Sequence, residues 1–157
     1  MSHQRINTVL AVLVVLAGFY FGLSFLLDPQ NSAAGFGIDP WPREPGYFVV
    51  KGVRDIAYAL TALILLLLRH RRAIGWVVLA DAVIPIGDCI AVMTNGGTVA
   101  YALAVHGSAA VLVLLTAASL LWETRKRRNP DHETPDHETA EHETLKDEHP
   151  EHESLTR

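Results

Sequence analysis

Apolar residues run along this chain in four segments of membrane length, separated by shorter polar stretches. The segments lie at about residues 6–27, 47–68, 73–93 and 99–122. The first has 22 residues without a charge, which as a helix is roughly 33 Å and enough to cross the hydrocarbon core. It is too long for the apolar region of a signal peptide, and no clear cleavage site follows it. The pattern predicts an all-α fold, a four-helix transmembrane bundle.

The connection between the first two segments, residues 28–46, contains four prolines. Because proline lacks a backbone N–H and fixes its own φ, this density predicts a stiff connector without a regular helix. Trp41 and Tyr47 suit the membrane–water interface. A lid over the end of the bundle is the alternative to a plain connector.

The first segment also contains a G-x-x-x-G pattern at Gly18 and Gly22. Such a pattern lets a second helix approach closely, because neither glycine has a side chain in the interface. Packing within the bundle is the simpler interpretation, and homodimerisation is the alternative.

Basic clusters predict the orientation of the chain. Arg5, residues 69–72 and residues 125–128 all fall on one side of the membrane if there are four spans. The positive-inside rule then places both termini in the cytoplasm, with the protein in the plasma (inner) membrane. The glycine-containing turn at 94–98 lies on the outer side.

The C-terminal tail differs from the rest in charge. Residues 1–130 have a balance of +4, whereas residues 131–157 have a balance of −8. The tail repeats acidic pentads with a histidine in each, a period that forms no helical or strand face. We therefore predict a membrane domain at 1–128 and a disordered cytoplasmic tail at 129–157. His132, His137 and His142 are five residues apart, unlike the four-residue spacing of a helical zinc motif, so weak metal binding is only an alternative.

Ionisable residues inside three of the spans are the most informative feature. From the outer ends of their helices, Lys51, Arg54 and Asp55 lie about 6 to 12 Å deep, by the rise per residue. Asp88 lies about 8 Å deep and His106 about 10 Å, by the same rise. Charges at such depth are costly, so they are expected to face the bundle interior and to meet at one level.

Helical spacing supports this convergence. Lys51, Arg54, Asp55 and Tyr58 share one helix face. Asp81 and Asp88 are seven residues apart and also share a face, with Pro85 between them. Proline there frees a backbone carbonyl near Asp81 and can kink the helix.

The buried charges do not balance. Two basic residues, Lys51 and Arg54, oppose three aspartates. A protonated His106, a neutral aspartic acid or a bound cation would each restore neutrality. Asp81 is the candidate for the odd member, because it lies deepest, about 18 Å from the outer end by the rise per residue, and farthest from either base.

Three functions remain open for these residues. In the first, the protein binds, and in one version converts, a small or lipophilic ligand. Lys51, Arg54, Asp55 and Tyr58 would bind it, with Lys51 and Arg54 clamping an anionic or carbonyl oxygen. Asp81, Asp88 and His106 are candidate acid/base residues. In the second, the charges only hold the helices of an accessory or scaffold subunit together. In the third, a proton-coupled transporter, the wholly apolar inner half of the second span argues against a path.

Other classes of function find little support. The single Cys89 excludes an intramolecular disulfide, and no P-loop, G-x-G-x-x-G or G-x-S-x-G motif occurs. His106 is the only histidine in the predicted spans, so we expect neither bis-histidine haem within one chain nor a metal. Whether the protein is an enzyme, and its cofactor, stay open. The expected partners are the bilayer, a ligand and either a second copy or a membrane complex, and no nucleic acid.

Four short sequences resemble an uncharacterised family of small four-helix membrane proteins, a domain of unknown function related to the DoxX-like group. They are G-F-G-I at 35–38, K-G-V-R-D at 51–55, D-A-V-I-P-I-G-D at 81–88 and H-G at 106–107. The K-G-x-R-D and D-x-x-x-P-x-x-D motifs are the more specific part. The resemblance covers about residues 6–122 and implies fold and membrane placement, not an activity. Some DoxX-like proteins are subunits associated with quinone-linked oxidation, so the resemblance adds a redox accessory role as an alternative.

Overall fold

A computed structural model describes residues 3–41 and 43–126. These residues form helices joined by short turns and contain no β-strand. The predicted all-α class is confirmed. The predicted disordered tail at 129–157 lies outside the described residues. In chain order the helices are α1 (His3–Leu27), α2 (Pro29–Phe36), α3 (Pro45–Leu67), α4 (Arg71–Asp81), α5 (Val83–Thr94), α6 (Val99–Ala102), a π-helical turn (Leu103–Gly107) and α7 (Ser108–Lys126).

Three helical stretches are long and apolar enough to cross a membrane: His3–Leu27, Arg71–Thr94 and Val99–Lys126. The second of these combines α4 with α5, and the third combines α6, the π-helical turn and α7. The helix α3 is 23 residues long, but each of its membrane-length segments contains three charged residues, Lys51, Arg54 and Asp55. The count of four spans therefore stays a prediction.

The expectation that residues 28–46 contain no regular helix is wrong for α2. Pro29 occupies the first turn of α2. Backbone N–H groups there have no intrahelical partner, so the missing N–H of proline removes no hydrogen bond. Gly37 ends the helix with a positive φ of 97°, a conformation that glycine adopts readily. Pro45 likewise begins α3, so these two prolines mark helix starts.

Close packing between α1 and α3 uses the G-x-x-x-G pattern. A Cβ atom added to Gly22 would lie 2.8 Å from the carbonyl oxygen of Gly52, and one added to Gly18 would lie 2.9 Å from Cβ of Ala59. Both glycines of the pattern thus face α3 of the same chain, as the simpler interpretation expected. This approach fixes the position of Lys51, the residue before Gly52, relative to α1.

Pro85 lies close to an interruption in the stretch Arg71–Thr94. The helix is interrupted at Ala82, between Asp81 at the end of α4 and Val83 at the start of α5. Because Pro85 has no N–H, the carbonyl of Asp81 cannot receive the usual bond from four residues ahead. The helix is therefore interrupted next to Asp81, the region where Pro85 predicts a freed carbonyl and a kink.

Two apolar cores occupy opposite ends of the bundle. The core at the end that carries α2, which we name the α2 end, consists of Phe25, Ala33, Phe36, Phe48, Cys89, Val92 and Ala102. The core at the other end, the termini end, consists of Ala11, Ile74, Val78, Ala117 and Leu120. The candidate site lies between them.

We expect Gly22→Ala to destabilise the fold by about 1–3 kcal/mol, the usual cost of overpacking, because its methyl group would meet the backbone of α3. Gly87→Ala is the matched control, since a Cβ at Gly87 meets nothing within 4 Å. Unfolding of the purified protein in mild detergent, followed by SDS titration, measures both. Equal stability of the two variants would contradict this account of the α1–α3 interface.

Candidate functional site

A cavity of about 510 Å³ opens in the bundle toward the α2 end. Its wall receives residues from α1, α2, α3, α4, α5, the π-helical turn and α7, and most of it is apolar. Six of the seven residues proposed from the sequence line this one cavity: Lys51, Asp55, Tyr58, Asp81, Asp88 and His106.

The ammonium group of Lys51 is the central charge of the wall. Lys51 is only 7% exposed. Its Nζ atom lies 3.1 Å from Oδ2 of Asp55, one helical turn along α3, and 3.8 Å from Oδ2 of Asp88 on α5. One cation therefore joins α3 to α5 through Asp88. The two carboxylates together compensate for removing the ammonium from water.

Aromatic rings complete the surroundings of Lys51. Its Nζ lies 4.9 Å from the centre of the Phe25 ring and 5.0 Å from that of Phe36. Both distances are within cation–π range, where the negative face of a ring attracts an ammonium group. Trp41 and Phe48 pack around the same two rings. We name Lys51, Asp55, Asp88, Phe25 and Phe36 together the lysine cage.

His106 connects the cage to α2. Its Nε2 atom lies 2.8 Å from the carbonyl oxygen of Phe36, and since a carbonyl only accepts, Nε2 carries the proton and donates. The hydroxyl of Tyr101 donates to the carbonyl oxygen of Gly35. Both acceptors are carbonyls at the C-terminal end of α2, which have no intrahelical partner. Because Nε2 is engaged with this carbonyl, Nδ1 is the atom of His106 that could exchange a proton with a ligand or an aspartate.

A π-helical turn positions His106, and the sequence did not indicate it. Residues Leu103–Gly107 form this wider turn between α6 and α7. A single π-turn in an α-helix inserts one extra residue, shifts the side chains that follow and is frequent at functional sites.

Arg54 has a different position from the other predicted residues. Its side chain is 47% exposed, its Nε lies 3.7 Å from Oδ1 of Asp55, and it does not line the cavity. Among the described residues Oδ1 of Asp55 has no hydrogen-bond partner. Arg54 therefore acts on the site through Asp55 and is not positioned to contact a molecule in the cavity directly.

Asp81 lines the cavity at the interruption between α4 and α5. Within residues 3–41 and 43–126 no basic side chain forms an ion pair with it. The prediction that Asp81 is the odd charge remains untested, and the geometry is consistent with it. Tyr58 lines the same wall one turn from Asp55.

A second polar cluster lies at the termini end, and sequence reasoning missed it. Arg71 Nη2 is 3.0 Å from Oε2 of Glu123, and Asn7 Nδ2 is 2.7 Å from the same oxygen. The cluster joins α1, α4 and α7. In the sequence, the basic cluster at 69–72 that contains Arg71 indicates only the orientation of the chain. The available signal was the pair of polar residues, Asn7 and Glu123, at the edges of two apolar segments.

Metal binding finds no ready ligand set. No group of three or more His, Cys, Asp or Glu side chains in the described part of the chain could hold a metal ion. The cavity thus offers ionised or neutral carboxylates, one buried ammonium group, an imidazole and apolar surface.

The fold and this cavity define an all-helical protein with membrane-length apolar helices and a charged interior. The chain belongs to the family described as a domain of unknown function (DUF4267), whose model matches residues 15–120. The resemblance to an uncharacterised family is confirmed, whereas the relation to the DoxX-like group and the two motifs stay predictions. Neither the curated proteins nor the solved structures gave a match.

Replacing the buried cation tests the cage directly. We expect Lys51→Met to destabilise the fold by about 3–5 kcal/mol, because it keeps the length of the side chain but leaves two carboxylates without their partner. Arg54→Met, on the same helix but half exposed, should change stability by less than about 1 kcal/mol. SDS titration of the two variants compares them, and a cost at Arg54 as large as that at Lys51 would contradict the central role of Lys51.

Proposed function

We propose that this chain is a small multi-pass membrane protein that binds a small or lipophilic molecule in the charged cavity, near the outer face of the membrane. The observation that carries the proposal is a cavity of about 510 Å³ whose wall contains a buried, fully engaged ammonium group and several carboxylates. Ligand sites are typically apolar cavities of about 300–1,000 Å³ with a few polar groups.

The size of the cavity favours a binding site over a purely structural network. A network that served only to hold helices together would need Lys51, Asp55 and Asp88 to pair, but it would not need open space beside them. The space also reaches Asp81, which takes no part in that pairing.

We propose that α3 also spans the membrane, in addition to the three long apolar stretches. The protein then lies in the plasma (inner) membrane with both termini cytoplasmic. A helix of 23 residues is about 35 Å long, which suffices to cross. The interior pairing of Lys51 supports this, because its charge is compensated within the bundle and not turned to lipid. In that orientation the α2 end is the outer end.

This orientation predicts the behaviour of fusions in a bacterial host. A green fluorescent protein fused after Arg157 should fluoresce, and alkaline phosphatase fused at the same point should be inactive, because both report a cytoplasmic C-terminus. Alkaline phosphatase inserted after Gly97, in the turn between α5 and α6, should be active. The reverse pattern would overturn the orientation.

The roles of individual residues follow from their contacts. Lys51 is already paired, so we assign it to orienting Asp55 and Asp88, and no longer to clamping an anionic oxygen as the sequence suggested. Asp88, which the ammonium contacts at the longer distance, and Asp81 are the groups proposed to contact the ligand. Chemical conversion by Asp81, Asp88 and His106 remains an extension of the binding proposal.

An accessory or scaffold subunit is the second candidate, and one observation favours it. Lys51, Asp55 and Asp88 largely satisfy one another, so these charges can account for helix registration without any ligand. A transporter is less well supported, because the termini end contains an apolar core and the mutually paired Arg71, Glu123 and Asn7. None of these residues lines the cavity.

Native mass spectrometry of wild type beside Asp88→Asn separates these candidates. Asp88→Asn should fold, because Lys51 keeps its closer partner Asp55, and it should lose a defined adduct that the wild type retains from its membrane. Glu44→Gln, exposed at the start of α3 and outside the cavity, is the control and should keep the adduct. A bare wild type together with an unstable Asp88→Asn would show that the charges are structural and would overturn the binding proposal.

A further inference from the structure

The charged residues in the cavity wall favour a ligand of one charge sign. The lining contains a single basic residue, Lys51, against four acidic residues, Asp28, Asp55, Asp81 and Asp88. Arg54 lies outside the lining and contacts Asp55. Even if Arg54 is counted with the wall, the acidic residues outnumber the basic residues by two.

No cation in the wall is available to an anion. The ammonium of Lys51 contacts Asp55 and Asp88 and is covered by the faces of Phe25 and Phe36. An anion that approached it would meet two carboxylates and the negative faces of two rings, all of which repel it. His106 uses Nε2 on the carbonyl of Phe36.

Asp81, in contrast to Lys51, has no ion-pair partner among the described residues. It lines the cavity at the point where the helix is interrupted. A carboxylate at this depth in a membrane is costly unless a partner compensates it. The apolar part of the same wall includes Ala59, Ala62, Ile84, Leu112 and Val113.

We propose that the ligand is a cationic amphiphile, whose protonated amine pairs with Asp81 and whose apolar part lies against α3 and α7. This inference rests on the proposed binding function and adds the charge class of the ligand to it. Asp28, exposed at the other end of the lining, adds negative potential there. The lysine cage shows the same chemistry within the protein, since it already holds one ammonium between carboxylates and ring faces.

Three probes with the same alkyl chain test the proposal: dodecylammonium, dodecanoate and dodecanol. Titration calorimetry of the full chain in a non-ionic detergent at neutral pH measures their binding. We expect dodecylammonium to bind about tenfold more tightly than dodecanol, the order of one desolvated charge pair, and dodecanoate to bind more weakly than both. Asp81→Asn should remove the preference for the amine and leave dodecanol binding unchanged.

The control variant is Glu44→Gln, which removes an equal charge outside the cavity and should keep the preference. The acidic residues at 131–157 are the same in both variants, so adsorption of the amine to them cancels in the comparison. Equal affinities for amine and alcohol, tighter binding of dodecanoate, or an unchanged preference in Asp81→Asn would each overturn the cationic class while leaving a binding cavity. Absence of binding by all three probes would overturn the proposed function as well.

Discussion

The arrangement of this bundle depends on one buried ammonium group. Removing Lys51 from water costs several kcal/mol, and only close carboxylates and ring faces can offset that cost. The partners come from different helices: Asp55 from α3, Asp88 from α5, Phe25 from α1 and Phe36 from α2. To compensate this single charge, α1, α2, α3 and α5 must meet at one level. This requirement determines how the four helices are placed at the α2 end.

Packing and hydrogen bonds elsewhere support the same level. Gly22 lets α1 approach the backbone of α3 at Gly52, the residue next to Lys51. His106 and Tyr101 hold the C-terminal carbonyls of α2, and so keep the ring of Phe36 over Lys51. At the termini end, Arg71, Glu123 and Asn7 join α1, α4 and α7. The cavity lies between these two sets of fixed contacts.

The sequence predicted the helices and the members of the site better than their roles. Apolar length and charge depth depend only on local sequence and the rise of a helix, so Lys51, Asp55, Asp88 and His106 could be assigned to one level. The helix α2 and the π-helical turn could not, because both are stabilised by contacts between distant residues, such as His106 with Phe36. Arg54 shares the predicted helix face of Lys51, but it lies about 60° around the helix from Lys51, because a helix has 3.6 residues per turn. This offset leaves its guanidinium outside the lining.

The contrast between Lys51 and Asp81 is the strongest reason to regard the cavity as more than packing. Two carboxylates and two aromatic rings compensate the desolvation of the Lys51 ammonium. That part of the site therefore needs no ligand for its stability. Asp81 lies in the same wall with no described cation beside it, next to a helix interruption and open space. A purely structural role would favour an apolar residue there, since replacing buried charges by hydrophobic side chains is often neutral or stabilising. A protonated amine that enters the cavity would pair with the Asp81 carboxylate. The proposed cationic ligand therefore accounts for an acidic residue at this position.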